Sequence, residues 1–194
     1  MRPSLVSVLV ALIALASAGC ASQAVTVPTT IKAPPQTARL DWKEQYPSTN
    51  PSLVFGVSQF TVTRDGWKAD ISVENTSNIG WIVGDPRFPS YREFGVLLFR
   101  NDDLKDLERR SRDGDVPGLR AATSTTPSLP ETIKPGETWR GTIAAPGALA
   151  GGLWVRIAFG PFSADGKPPE DAQTPVVWYT DHAYKLEAVE ADPA

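Results

Sequence analysis

The sequence predicts an all-β protein, a sandwich of antiparallel sheets built from about seven strands with at most one short helix. Short segments in which apolar and polar residues alternate recur along residues 51–187 and are separated by turns rich in Pro and Gly. This is the pattern of half-buried strands. With 18 prolines and 15 glycines, little of the chain can be helical. Both observations favour a sandwich.

The first two strands are predicted to form a hairpin. Apolar residues alternate over 53–62, with a slip near Ser58 that indicates a β-bulge. A short turn at 64–66 separates this run from a second alternating run at 67–73. Two alternating runs joined by a short turn are typical of antiparallel neighbours.

One short helix and four further strands are predicted. The helix covers 102–110, where Leu104 and Leu107 are three residues apart and acidic residues precede basic ones, as the helix dipole favours. The basic run 108–112 is expected to be a solvated helix end, with contact to anionic headgroups or a partner left open.

Segment 101–131 is long for a connection, and its middle part is expected to be a mobile flap. The remaining strands are predicted at 93–100, 138–144, 153–159 and 176–186.

The N-terminus has the order of a secretory signal. Arg2 lies in a short positive head, residues 5–15 are almost wholly apolar, and residues 16–19 are small. The apolar run is shorter than the roughly 20 residues of a membrane span. Trp42 and Tyr46 are expected to pin the end of the following tether to the domain. We therefore predict a signal peptide at 1–19, a flexible Pro- and Thr-rich tether at 20–50, the sandwich at 51–187 and a disordered tail at 188–194.

The small residues before Cys20 resemble the lipobox of bacterial lipoproteins. Ala18 and Gly19 fit this pattern, whereas Ser17 stands where leucine is most common. The resemblance implies cleavage before Cys20, lipid attachment through diacylglyceryl and acyl groups such as palmitate, and anchoring in the cell envelope. It places the domain in the periplasm or at the exterior, on the outer membrane in a Gram-negative host. Cleavage after Ala18, leaving a free thiol, and an uncleaved anchor remain alternatives.

A second resemblance concerns the domain itself. The segments 71–77 (ISVENTS) and 133–141 (IKPGETWRG), with a strand between them, resemble the telokin-like and other immunoglobulin-like domains of bacterial lipoproteins. The Pro-Gly pair makes a turn in which Gly supplies a positive φ. The resemblance implies an immunoglobulin-like antiparallel sandwich. Its motifs are structural and imply no particular activity.

The residues needed for common kinds of chemistry are scarce. The chain has a net charge of −3, which gives no electrostatic footprint for nucleic acid. One histidine, His182, and one cysteine cannot form a transition-metal site. The segment 113–115 (DGD) lacks the other ligands of a calcium loop. Because no nucleophile motif is present, we predict neither enzymatic activity nor a cofactor or metal.

The loop 78–92 is the candidate binding surface. It carries three aromatic residues and two arginines, the residue types enriched at protein interfaces. The alternative is that Trp81 fills the core while the prolines shape a crossover. The candidate binding residues are Trp81, Arg87, Phe88, Tyr91 and Arg92.

These observations predict a lipid-anchored binding or scaffold protein of the cell envelope. Its expected partners are the membrane, through the N-terminal lipid, and an envelope protein, with the oligomeric state left open. One alternative is an inhibitor or accessory subunit of a secreted hydrolase. Another is a carbohydrate- or peptidoglycan-binding module, in which Trp67, Trp139 or Trp154 would stack on sugars.

Overall fold

The computed structural model describes residues 31–88 and 93–189 and shows two antiparallel sheets packed face to face. The predicted all-β sandwich is confirmed. The described residues contain twelve strands and one helix, because several predicted strands are split and short ones lie in the segment expected to be a flap. The elements are β1 (Gln36–Tyr46), β2 (Leu53–Val62), β3 (Gly66–Asn75), β4 (Gly80–Val83), β5 (Gly95–Phe99), α1 (Leu104–Asp113), β6 (Arg120–Ala121), β7 (Ser124–Thr126), β8 (Thr132–Ile133), β9 (Thr138–Pro146), β10 (Trp154–Asp165), β11 (Val176–Tyr179) and β12 (Tyr184–Lys185).

The first sheet has the strand order β1-β2-β3-β9-β7. Its centre is the predicted hairpin, β2 and β3. Val57 pairs with Ile71 and Gln59 with Asp70, so Ser58 is the extra residue of a bulge, as the sequence predicts. One face of this sheet packs on the core.

The second sheet is built around the long strand β10. Trp154 pairs with both β5 and β12, Ala158 with both β5 and β11, and Phe162 with both β4 and β11. Because a strand has only two edges, β4 and β5 lie end to end on one edge of β10, and β11 and β12 on the other. The chain between β4 and β5 therefore leaves the sheet in a gap halfway along β10.

Aromatic side chains fill the space between the two sheets. The ring centroids of Phe55 and Phe159 are 5.0 Å apart, and those of Phe55 and Phe162 are 5.6 Å apart. Phe60 and Trp81 are fully buried. Burying a side chain of this size contributes about 1.5–3 kcal/mol, so this cluster stabilises the sandwich without a disulfide.

The predicted short helix is confirmed, three residues longer at its C-terminal end than expected. Asp103 caps its N-terminus by accepting from the Lys105 N–H, and Gly114 ends it with a φ of 68°. Leu107 packs on the outer face of the second sheet against Leu97, Phe99 and Ala158. The helix thus covers that sheet face.

Two of the three arginines of the basic run, Arg109 and Arg110, form ion pairs within the helix region. Arg109 contacts Asp106 and Asp113, and Arg110 contacts Asp106 and Asp115. Their charges are therefore neutralised locally, as expected for a solvated helix end. The same pairs occupy both acids of the weak calcium pattern.

The segment expected to be a mobile flap is instead part of the sheets. β6 pairs with β5 in the second sheet, β7 pairs with β9 in the first, and β8 pairs with β4 in the second. The chain therefore crosses between the sheets and back, which closes this edge of the sandwich. Strands of two or three residues are too short to give a period in the sequence.

The predicted tether over 20–50 is wrong for residues 36–46, which form β1, an edge strand of the first sheet. Lys32 also forms a bridge with Ala150. The expected contacts at its end are present, because the Tyr46 hydroxyl donates to the carbonyl oxygen of Gln173 at 3.1 Å. The predicted signal peptide, Cys20 and residues 190–194 lie outside the described residues.

Candidate functional site

Residues Asp85, Pro86, Arg87 and Phe88 form a tight turn in the gap between β4 and β5. The Phe88 N–H donates to the Asp85 carbonyl at 2.8 Å, and the Arg87 N–H donates to Asp85 Oδ1 at 2.9 Å. An aspartate that bonds the backbone two residues on, followed by a proline that fixes φ, favours this turn. The sequence Asp-Pro-Arg-Phe therefore holds its own conformation.

The same aspartate fixes the arginine side chain. Arg87 Nε lies 3.0 Å from Asp85 Oδ1 and Nη2 lies 2.7 Å from Oδ2, a two-pronged ion pair. The Asp85 side chain is 8% exposed and that of Arg87 is 68% exposed. Hydrogen bonds from Arg87 lower the pKa of Asp85 below its ordinary value, and the same bonds raise the pKa of Arg87. The pair therefore remains charged across the physiological pH range.

Phe88 projects from this turn into solvent. It is 62% exposed, more than any other large hydrophobic residue of the described chain. The Arg87 guanidinium carbon lies 6.0 Å from the centre of its ring. An exposed aromatic ring beside a fixed arginine is the kind of anchor that contributes much of the binding energy in protein interfaces. We name residues 85–88 the anchor turn.

The structure separates the predicted binding residues into three groups. Arg87 and Phe88 lie together on the anchor turn. Trp81 is 0% exposed, and its indole N–H donates to Ser77 Oγ at 3.1 Å, so it belongs to the core and not to the surface. Tyr91 and Arg92 lie outside the described residues, as does the lipid-attachment candidate Cys20.

The tryptophans proposed for sugar stacking do not share an exposed face. Trp67 is 3% exposed and stacks on Phe60 inside the sandwich. The indole N–H of Trp139 donates to the carbonyl oxygen of Ser128 at 3.2 Å, and this side chain packs against the core. Trp154 lies on the outer face of the second sheet. The prediction of sugar stacking is therefore wrong for Trp67. The three rings do not form one shared platform for a sugar.

A polar cluster at the opposite edge of the sandwich is centred on Glu44. Its Oε2 accepts from Trp178 Nε1 at 2.7 Å and from the Asp181 N–H at 2.9 Å. Its Oε1 accepts from the His182 N–H at 3.0 Å and lies 2.8 Å from His182 Nδ1. The Glu44 side chain is 5% exposed. The carboxylate therefore fastens β1 to the 178–182 segment of the second sheet.

Arg156 holds the 178–182 segment, which bends between β11 and β12, from its other side. It is fully buried and donates to the carbonyl oxygens of Thr180, Asp181 and Asp102. Burial lowers the pKa of its guanidinium. Burial also raises the pKa of Asp181, with a further increase from the negative charge of Glu44. The N–H groups of the bend thus face an anion and its carbonyl groups face a cation.

This cluster was missed by sequence reasoning because Glu44 lies in the predicted tether. His182, expected in a strand, lies in the bend between β11 and β12. Its ring stacks on Trp42, with centroids 5.6 Å apart, and its Nδ1 faces Glu44. These contacts with Glu44 and Trp42 are the arrangement of a ring that helps to hold the bend in place.

Within 31–88 and 93–189, no three or more His, Cys, Asp or Glu side chains are arranged to hold a metal ion. The helix of this same part of the chain is not long and apolar enough to span a membrane. No family model, curated protein or solved structure matches this chain.

Proposed function

We propose that the protein is a lipid-anchored binding protein of the cell envelope that docks an envelope protein through the anchor turn. The observation that carries the docking proposal is Phe88, 62% exposed on a turn whose backbone and arginine are both fixed by Asp85. Anchoring rests on the signal-like N-terminus and on the lipobox resemblance at Cys20. The assignment of the sandwich to the immunoglobulin-like type rests on the resemblance of segments 71–77 and 133–141.

The physical argument is one of preorganisation. Ordering a flexible side chain at an interface costs about 0.5–1.5 kcal/mol. At the anchor turn, Arg87 is already held by Asp85, so much of this cost falls on folding. Because the guanidinium is already paired, a partner needs an apolar pocket for Phe88 rather than a compensating charge.

A second candidate is an inhibitor or accessory subunit of a secreted hydrolase. A rigid projecting turn, rather than a broad apolar patch, is the feature that favours it. The other exposed large hydrophobic residues of the described chain, Ile31, Leu104 and Val189, do not adjoin Phe88 in the sequence. Inserting a single ring into a cleft fits this arrangement.

The test is crosslinking in cells followed by affinity purification of the tagged full-length protein and mass spectrometry. The variant Arg87→Ala/Phe88→Ala is compared with wild type and with a matched control, Leu104→Ala/Arg109→Ala. Both variants remove one exposed apolar side chain and one ion-paired arginine. We expect one envelope protein to be lost from the turn variant and kept in the control.

The outcomes separate the parts of the proposal. The same crosslinked proteins in all three samples would refute docking through the turn. A partner with hydrolase activity that falls when the protein is added would establish the inhibitor version. Mass spectrometry of the N-terminal peptide tests the anchor separately, because an unmodified thiol at Cys20 would exclude lipidation.

A further inference from the structure

The two sheets differ in what covers their outer faces. The outer face of the second sheet carries α1 and its apolar contacts. The outer face of the first sheet carries no helix in the described part of the chain, and it contains an open trough of about 800 Å³. The trough is lined by residues of β1, β2, β3 and β9.

The register of four strands explains the depth of the trough. Lys43, Gly56, Ser72 and Arg140 lie side by side across β1, β2, β3 and β9. The two central residues are small, and the two at the rims are long cations. A Cβ atom on Gly56 would lie 2.4 Å from Ser72 Oγ, so the hydroxyl occupies the space that a side chain at 56 would fill. The floor is therefore backbone and one hydroxyl.

Carboxylates stand between the two cations. Asp70 and Glu74 are on β3, two residues to either side of Ser72 and on the same face. Thr142 Oγ1 donates to Asp70 Oδ1 at 2.6 Å. The described residues form six ion pairs within 4.0 Å. None of these six pairs includes Lys43, Arg140, Asp70 or Glu74. Charges of both signs are thus interleaved and unpaired.

We propose that this trough binds a neutral oligosaccharide. Interleaved charges disfavour a polyanion, which Asp70 and Glu74 would repel, and a polycation, which Lys43 and Arg140 would repel. Sugar hydroxyls both donate and accept, so they can bond to the carboxylates and to the cations together. Three strand spacings place the rim residues roughly 14 Å apart, which fits a short run of sugar rings.

This site is independent of the anchor turn and uses none of the tryptophans Trp67, Trp139 and Trp154. The outer face of an antiparallel sheet is commonly polar because it meets water. The trough differs from such a face by its small central residues and by charged groups that do not pair with each other. Charged groups that form no ion pair with each other leave hydrogen-bonding positions for a saccharide.

The test is a titration of the ¹⁵N-labelled full-length protein with maltotriose, mannotriose and triacetylchitotriose, followed by NMR. The detergent must have no sugar headgroup. We expect saturable shifts at amides of β1, β2, β3 and β9 for at least one of these sugars at millimolar concentration. In Lys43→Ala/Arg140→Ala, we expect binding to weaken by about a hundredfold or more, because each substitution removes a charged hydrogen bond, and the saturable shifts at millimolar sugar should disappear.

Two further variants control for indirect effects. Arg39→Ala/Lys68→Ala removes two cations outside the trough lining and should bind as wild type does. Ser72→Val fills the floor without changing charge and should also abolish the shifts. No shift with any of the three sugars, or equal affinity in the trough and control variants, would overturn the proposal. If Arg87→Ala/Phe88→Ala binds sugar as wild type does, the trough and the anchor turn are separate sites. Failure of one proposal then leaves the other standing.

Discussion

Replacing Glu44 tests whether β1 is an integral strand fastened by a buried carboxylate. In Glu44→Ala, the Trp178 indole and the Asp181 N–H lose their acceptor in a site where the carboxylate is 5% exposed. Each unsatisfied buried donor costs about 1–3 kcal/mol. The His182 N–H also loses its acceptor, whereas the His182 ring is partly in water and adds little. Because the three donors are only part-buried, each should cost an amount in the lower part of this range, and we expect Glu44→Ala to lower the free energy of unfolding by about 3–5 kcal/mol.

Glu44→Gln should cost less for a geometric reason. The amide oxygen can stay toward Trp178 and Asp181 while the amide nitrogen faces His182. Its NH₂ group can donate to the ring Nδ1, and only the His182 N–H then lacks an acceptor. One lost acceptor predicts a loss of about 1–3 kcal/mol. Lys43→Ala, on the same strand but pointing outward, should change stability by less than about 0.5 kcal/mol.

The assay is equilibrium urea unfolding of the full-length variants, followed by tryptophan fluorescence. With a slope of about 1–3 kcal/mol per molar urea, a loss of 2 kcal/mol moves the midpoint by about 1 M. Equal stability of Glu44→Ala and Lys43→Ala would refute the fastening role. Equal losses in Glu44→Gln and Glu44→Ala would show that the negative charge, and not the number of accepted hydrogen bonds, is what the site requires.

Three more predictions can be measured in the same way. Trp81→Ala should cost about 3–5 kcal/mol as a core cavity, whereas Phe88→Ala should cost less than about 0.5 kcal/mol, and similar losses would contradict their placement. Burial raises the pKa of Asp181 in the folded protein, so the charged carboxylate destabilises the fold above that pKa. Below the pKa that Asp181 has in the unfolded chain, the carboxyl group is protonated in both states and has no such effect. Asp181→Asn should therefore gain stability at neutral pH but little at about pH 3, and a pH-independent difference would contradict this. Gly56→Ala should destabilise by about 1–3 kcal/mol, and Ser72→Gly should restore most of this in the double variant; simple additivity would exclude the contact.

The fold class could be predicted because its strongest signals are local. The alternation over β2 and β3, the bulge at Ser58, and the leucine spacing and charge order of the helix each depend on a few neighbouring residues. The anchor turn was partly accessible for the same reason, because Asp85, Pro86 and Arg87 form a local turn pattern. The exposure of Phe88 and the burial of Trp81 depend on the other strands, and the sequence left both interpretations open.

The first strand was missed although part of its signal is local. In β1, Leu40, Trp42 and Tyr46 alternate with outward-facing polar residues across the register shift between Arg39 and Trp42. The carboxylate of Glu44 interrupts this apolar face, because it points toward the interior where a sequence pattern calls for an apolar residue. The partners that make this burial possible lie more than a hundred residues away, at Trp178 and His182. Long-range pairing of this kind has no signature in a local window.

The position of β1 also limits where a partner could be. If Cys20 carries the proposed lipid, the chain between it and Ile31 spans at most about 40 Å. Ile31 accepts from the Gly151 N–H, next to the start of β10, whereas the anchor turn leaves the sheet beside Gly160. Six residues of strand separate these levels by roughly 20 Å. Along the strand direction, these two spans add to about 60 Å, which sets the scale of the distance that the proposed lipid anchor allows between Phe88 and the bilayer. A partner held in or near the same membrane would lie within that layer.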